Sequence, residues 1–468
     1  MNSSKPTNQW QKFQPRGNRN RFKKKPLSPF FTVTLAFLVM GIAGWAVVAF
    51  FPEIRGAVTE MVSFFKPFSL KDDSLKDDSL EDNSRTGTSG QLTRKQVISL
   101  LTPSLLNNPA PGHLTVLRED RPLTIETGLD PPLQRFLLDE ITHLKTLTRA
   151  KPEIIAMVVM APDTGQILAM AGFDASSPGS NPCISKEYPA ASTFKIITAS
   201  AVLEQHIMGP NTPLFFNGGK YTLYKRQLKE VKNKYTTRTT LKKAFSQSIN
   251  PVFGKLGRHE LGADQLKKYA NSFGFNQPLD TDFRALSGSI TVTDKPYQWA
   301  EVACGFNKTT TISPLFGAMI IATLLNNGNI PAIHLVKTVT NDQGETLYQK
   351  VPQMEMPRAI TAKTAATMVE MMTHTISTGT AKKAFRQYRK DRVLAQLTMG
   401  GKTGSLYNKE HTIKLDWFTG FARDKKKKQQ IVVSILVGHG QYIGTRAGTF
   451  ARKIFKEYFS HYLASKAE

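Results

Sequence analysis

Cysteine is nearly absent from this chain. Cys183 and Cys304 are the only two in 468 residues, too few for a disulfide framework or a four-cysteine zinc cluster. Acidic residues are outnumbered, 36 Asp+Glu against 62 Lys+Arg, for a formal net charge of +26. That excess selects an acidic partner: nucleic acid, anionic membrane or anionic cell-wall polymer. Two familiar chemistries fail on single positions. A phosphate loop ending in Gly401-Lys402-Thr403 needs a glycine five positions before Gly401, where Gln396 stands. His259-Glu260 is followed by Ala263 where a zinc-protease helix needs histidine. The acidic repeat after residue 68 lacks the glycine and carboxylate spacing of an EF-hand loop. The sequence therefore calls for no metal and no cofactor. What is present is a 40% hydrophobic composition, enough to bury cores for two or three domains at this length.

Residues 30–51, FFTVTLAFLVMGIAGWAVVAFF, run for 22 residues without a charge. At about 1.5 Å per residue this matches the roughly 30 Å hydrocarbon core and predicts a transmembrane helix. Residues 1–29 read as a basic cytoplasmic tail: Lys5, Lys12, Arg16, Arg19, Arg21 and Lys23 to Lys25 stand there without one acid. The far side mixes Glu53, Arg55, Glu60 and Lys66. The positive-inside rule then gives a single-pass protein of the inner (cytoplasmic) membrane, with its body on the periplasmic or extracellular side. The apolar run is too long for a signal-peptide h-region and no small-residue cleavage site follows, so the anchor is expected to be retained. This orientation removes nucleic acid as a partner of the body and leaves cell-envelope polymers.

Residues 52–90 read as an acidic, polar tether. EIRGAVTEMVSFFKPF suggests an interfacial helix, and SLKDD-SLKDD-SLEDN is a charged five-residue repeat with too little apolar area to fold. Its flexible part, Ser69 to Gly90, spans roughly 25 Å as a random chain. Residues 91–126 form a short N-terminal extension, with a helix capped by Thr93 and a hairpin turning at Glu119-Asp120. Residues 127–465 are the main globular domain. Asp130 followed by Pro131 is a helix start. IIAMVVMA, the turn Pro162 to Gly165, and QILAMAGF form a hairpin apolar on both faces, which needs cover on both sides. Three more strands are read in LTMGGKTGSLYN, KLDWFTGFA and QIVVSILVGHG, before a helix in AGTFARKIFKEYFSHYL. The expectation is an α+β fold: one antiparallel sheet built from both ends of the domain, covered by helices.

Three polar segments punctuate this pattern. Ser192 stands three residues before Lys195 where a largely apolar helix begins, so hydroxyl and amine share one face beside the helix's free N–H groups. Ser248-Ile249-Asn250 precedes Pro251, which disfavours helix at Asn250 and is expected to interrupt TTLKKAFSQSINPVFGKLG there. Gly400 to Gly404 bares a strand backbone to which an extended ligand could pair, with Lys402 and Thr403 placed for an anionic end.

Taken in order, Ser192-x-x-Lys195, Ser248-x-Asn250 and Lys402-Thr-Gly404 resemble the penicillin-binding proteins, D,D-transpeptidases and related serine acyl-transferases acting on peptidoglycan. TIETGLDPPLQ, MAPDTGQILAM, LKKAFSQSINPVF, TISPLFGAM with LLNNG, and DWFTGFA extend the likeness over roughly residues 125 to 460. The resemblance implies a five-stranded antiparallel sheet with covering helices and an all-helical subdomain. It also implies that residues 127–465 are a transpeptidase domain. By the same likeness Ser192 is the acylated nucleophile, Lys195 its base and Ser248 a proton relay. Lys195 would need its pKa lowered by burial and a neighbouring cation, which Lys402 could be. Asn250 would hold the donor amide, Lys402, Thr403 and Gly404 the terminal carboxylate and strand-like backbone. The N–H groups of Ser192 and Ser405 would form the oxyanion hole. The implied partners are peptidoglycan stem peptides or their lipid-linked precursor, β-lactams as inhibitors, the membrane, and a wall-synthesis complex with a glycosyltransferase.

Two details depart from that family. Pro189-Ala190-Ala191 stands where Pro-Gly usually precedes the serine, which is similar to class D β-lactamases, and Ser405-Leu406 stands where Thr-Ala is common. The segment before the likeness is too short for a glycosyltransferase domain or a large pedestal, and no Glu-Asp-x-x-Phe occurs. A monofunctional, membrane-anchored transpeptidase is the expectation. The alternatives are a D,D-carboxypeptidase, a class D-like β-lactamase, or a non-catalytic β-lactam sensor or scaffold.

Overall fold

The computed structural model describes residues 91–185, 188–351, 355–426 and 428–464. The predicted basic tail, transmembrane helix, interfacial helix and tether lie outside the described residues. Among the described residues, no helix is long and apolar enough to cross a membrane.

The first long helix, α1 (Pro131–Thr146), starts where Asp130 accepts a hydrogen bond from Leu133 N at 2.9 Å. Strands β1 (Pro152–Met160) and β2 (Ile167–Asp174) form the expected hairpin. Helices α2 (Lys195–Glu204), α3 (Leu241–Ser246) and α4 (Asn250–Lys255) follow, then α5 (Pro314–Leu325) and α6 (Ala362–Ser377). The chain closes with β3 (Leu397–Tyr407), β4 (Lys414–Asp424), β5 (Gln430–His439) and helix α7 (Ala447–Ala464). The five strands make one antiparallel sheet in the order β3-β4-β5-β1-β2. The N-terminal hairpin thus occupies one end and the C-terminal strands the other, as the two-ended pattern predicts.

Alternation along β1 explains the two-sided burial. Ala156, Val158 and Met160 join one apolar cluster with α2, α5 and most of α6, whereas Ile155, Met157 and Val159 join a second with α1 and α7. Each such large apolar side chain, fully buried, contributes about 1.5–3 kcal/mol, so the sheet is held from both faces. Helix α5 presses close: a Cβ on Gly317 would sit 2.5 Å from Ser434 Oγ. Its buried N-cap Ser313 receives Phe316 N at 3.0 Å.

Residues 91–126 pack against the body. The hairpin turns at Glu119 and Asp120, both with positive φ, a turn that matches strand twist. Its second strand, Arg121–Thr127, pairs with Val336–Thr340 in a four-stranded sheet. The helical region differs from a purely helical one. It carries two-stranded ribbons, among them Pro213–Phe216 with Thr237–Thr240, which closes a long excursion between helices α2 and α3. Cys183 and Cys304 are both buried and unpaired.

Candidate active site

Ser192 lies in a single 3-10 turn, Ala191–Phe194, that feeds directly into α2. The expected helix start is therefore one tighter turn, and Lys195 is the first residue of the α-helix proper. Everything from Lys195 to Leu203 is buried, while Ser192 keeps partial exposure. The turn is held from outside: Trp417 Nε1 of β4 donates to Pro189 O at 2.9 Å and Thr193 Oγ1 donates to Ala190 O. Ala191 carries φ +49°, a left-handed conformation costly for a residue with a Cβ. The glycine usual before this serine in the resembling family would relieve it.

Lys195 Nζ makes three hydrogen bonds, to Ser192 Oγ at 2.7 Å, Asn250 Oδ1 at 2.7 Å and Cys304 O at 2.5 Å. The last two are acceptors only. A neutral amine has two N–H bonds and one lone pair, so satisfying both acceptors points the lone pair at Ser192 Oγ. Burial of Lys195 pushes its pKa down to about 8, which brings the neutral form within reach near neutrality.

Helices α3 and α4 carry the second segment. The break falls at Gln247 to Ile249, one position earlier than Pro251 suggested. Asn250 is the first residue of α4 and Pro251 the second, where its missing N–H is harmless. Ser248 sits in the joint at φ +56°. Its Oγ accepts from Lys402 Nζ at 2.9 Å. Asn250 spends both ends of its amide inside the protein, with Oδ1 toward Lys195 and Nδ2 donating to Tyr221 O at 3.0 Å. In this structure its oxygen is a hydrogen-bond partner of the Lys195 amine, beside the substrate-amide role the resemblance implies for it. Phe253 faces Lys195 and Phe245 faces Lys402, each ring centroid 5.6 Å from the ammonium nitrogen.

Strand β3 supplies the third segment from the edge of the sheet, so one side of its backbone has no strand partner. Lys402 is completely buried and also donates to Thr403 O at 2.9 Å. Its pKa is lowered well below the usual lysine value, first by burial and then by the charge of Lys195. Burial is the first cause for both lysines, and the repulsion between the two cations adds to it. Thr403 pairs its hydroxyl with that of Thr380. Gly404 admits the nucleophile turn, since a Cβ there would meet Ala191, Thr193 and Trp417 at 3.3 Å each. Ser405 is exposed one residue beyond.

All eight residues named from the sequence thus lie on the three segments that this fold assembles. Direct contacts link Ser192, Lys195 and Asn250 in one group and Ser248, Lys402 and Thr403 in another. Sequence reasoning missed Cys304 O, Tyr221 O and Thr380. Two of these act through the backbone, which residue identity does not mark. Thr380 lies beside Gly379, where a Cβ would sit 2.3 Å from Ser246 O, and only the glycine was a visible signal.

The profile of the penicillin binding protein transpeptidase domain matches residues 155–459. A peptidoglycan D,D-transpeptidase, PbpA of Mycolicibacterium smegmatis, is 25% identical over 372 residues, covering 72% of each chain. The D,D-transpeptidase domain of a peptidoglycan glycosyltransferase from Eggerthella lenta superposes with a TM-score of 0.57 at 25% identity, over 72% of this chain and 83% of that one. Penicillin-binding protein A of M. tuberculosis, solved as an imipenem acyl-enzyme, gives 0.58 at 22% identity over 71% and 79%, a likeness of fold. With the profile spanning residues 155–459 of the 468, this chain belongs to the penicillin-binding protein transpeptidase domain family.

Proposed function

We propose that the chain is a peptidoglycan D,D-transpeptidase that cross-links stem peptides through an ester on Ser192 and is inhibited by penicillin. The observation that carries this is Lys195 Nζ held 2.7 Å from Ser192 Oγ by two partners that can only accept. Neutral Lys195 takes the hydroxyl proton as Ser192 Oγ bonds to the carbonyl carbon of the penultimate D-alanine. The C–N bond to the last D-alanine then breaks, and Ser248 relays to the departing amine the proton that Lys195 took from Ser192, which returns Lys195 to its neutral form. The backbone N–H groups of Ser192 and Ser405 are assigned to the developing oxyanion.

Lys402 and Thr403 take the donor's terminal carboxylate. An arriving anion raises a lysine pKa, so substrate favours the charged form of Lys402, and that cation in turn disfavours charge on Lys195. Binding thereby primes the base. The acceptor is the amine of a second stem peptide, whose attack releases the cross-linked product and frees Ser192. The open edge of β3 suits an extended peptide added alongside.

The placement is proposed with it. Residues 30–51 anchor the chain in the cytoplasmic membrane and residues 52–90 tether residues 127–465, the transpeptidase domain, outside. The lipid-linked precursor or nascent strands, and a separate glycosyltransferase that makes them, are the partners this placement requires. The test uses the full chain with purified stem-peptide polymer. Cross-linked dimer should form and disappear on Ser192→Ala; release of D-alanine without dimer would instead make the protein a carboxypeptidase.

A further inference from the structure

Between Lys220 and Lys243 the chain carries nine basic residues and one acid, Glu230. Glu230 is held by Lys255 at 3.0 Å and Lys242 leans toward Glu370 at 3.8 Å. Among the described residues the other eight cations have no carboxylate partner, and all eight are exposed. Tyrosines stand among them, Tyr221, Tyr224 and Tyr235 being 61%, 53% and 73% exposed. Arg226 lies over Tyr224 at 5.3 Å and Lys234 over Tyr235 at 5.2 Å.

This excursion is built rather than loose. Buried Gln227 donates to Asn217 O at 2.9 Å and Gly219 O at 3.1 Å and accepts from Tyr224 N at 2.9 Å. Leu223 and Leu228 are in the core. Asn217 Nδ2 donates to Val231 O and Thr236 Oγ1 to Asn217 Oδ1. The same segment touches the reaction centre: Tyr221 O receives Asn250 Nδ2, and Lys220 Nζ donates to Gln247 Oε1 at 2.7 Å.

We propose that this rigid basic, tyrosine-bearing surface is a second binding site, for an anionic glycan-peptide polymer, which holds a peptidoglycan strand while its stem peptides reach Ser192. The inference rests on the function proposed above. Cations pair with stem-peptide carboxylates, and flat tyrosine faces with a polar rim suit sugar rings. A membrane-binding surface would expose Trp, Phe or Leu for insertion. In this segment the large exposed apolar residues are the three tyrosines and Val231.

The test is cosedimentation of the full chain with purified peptidoglycan sacculi. Binding should weaken steadily with added salt, and K229Q/K232Q/K234Q combined with Tyr235→Ala should weaken it by about tenfold or more at an unchanged thermal midpoint. Salt-insensitive binding, or wild-type binding by a variant of normal thermal midpoint, would overturn the proposal. So would binding to phosphatidylglycerol vesicles without binding to sacculi, which would assign the surface to lipid. Penicillin labelling of the unaltered chain is read separately. A chain that binds sacculi through this surface but is never acylated keeps the surface and loses the transpeptidase reading.

Discussion

Two buried lysines in one site set the chemistry at the scale of single residues. Lys195 acts only when neutral, and its pKa is about 8, so the neutral fraction grows as pH rises toward that value. The second-order rate of penicillin acylation should climb about tenfold per pH unit below pH 8 and level off above it, measured by stopped-flow or quenched labelling from pH 5.5 to 9.5. A flat profile would remove Lys195 as the base. Ala191 offers a second prediction. Its left-handed backbone costs about 1–2 kcal/mol in an L-residue, partly offset by the greater chain freedom of glycine. Ala191→Gly should therefore raise stability by roughly 0.5–1 kcal/mol in urea unfolding, with penicillin labelling intact. The spacing of Ser192 and Lys195 was legible because one turn of helix fixes which side chains meet. The carbonyl of Cys304, 109 positions away from Lys195, was not, because a backbone acceptor leaves no mark in residue type.

Among the elements, the helix Pro296–Cys304 has an unobvious role. It ends at Gly305 with φ +68°, and a Cβ there would lie 1.8 Å from Ala191 O. Gly305→Ala should push the nucleophile turn away, costing roughly 1–3 kcal/mol of stability and most of the penicillin labelling. Normal labelling at normal stability would mean that the turn is not positioned by this helix end. Helix starts were readable from local chemistry at Thr93 and Asp130. The break near Ser248 was readable only to within a residue or two, because proline restricts its predecessor yet also fits a helix's first turn. The helix after α4 was not legible as it stands. Leu256–Leu261 is π-helical, a local insertion that propensity does not signal.

At the scale of the whole molecule, the sheet was legible because its strands are continuously apolar, successive residues facing two different clusters. Its order was not, since pairing β5 with β1 joins segments far apart in the chain. The basic surface near Lys229 was visible only as a net charge of +26; its nearness to Asn250 needed the fold. The proposed anchor at residues 30–51 predicts that the full chain stays with membranes through carbonate and high salt and is released by detergent. Release by carbonate would contradict it.

The central claim is that the three segments together form an acyl-transfer site on Ser192. Its most direct test is intact mass spectrometry of the full chain over time after adding penicillin. The account predicts one adduct of penicillin mass, mapped to Ser192, lasting well beyond the labelling time and absent in Ser192→Ala. No adduct would contradict the claim, and an adduct lost within seconds by hydrolysis would make the protein a β-lactamase instead.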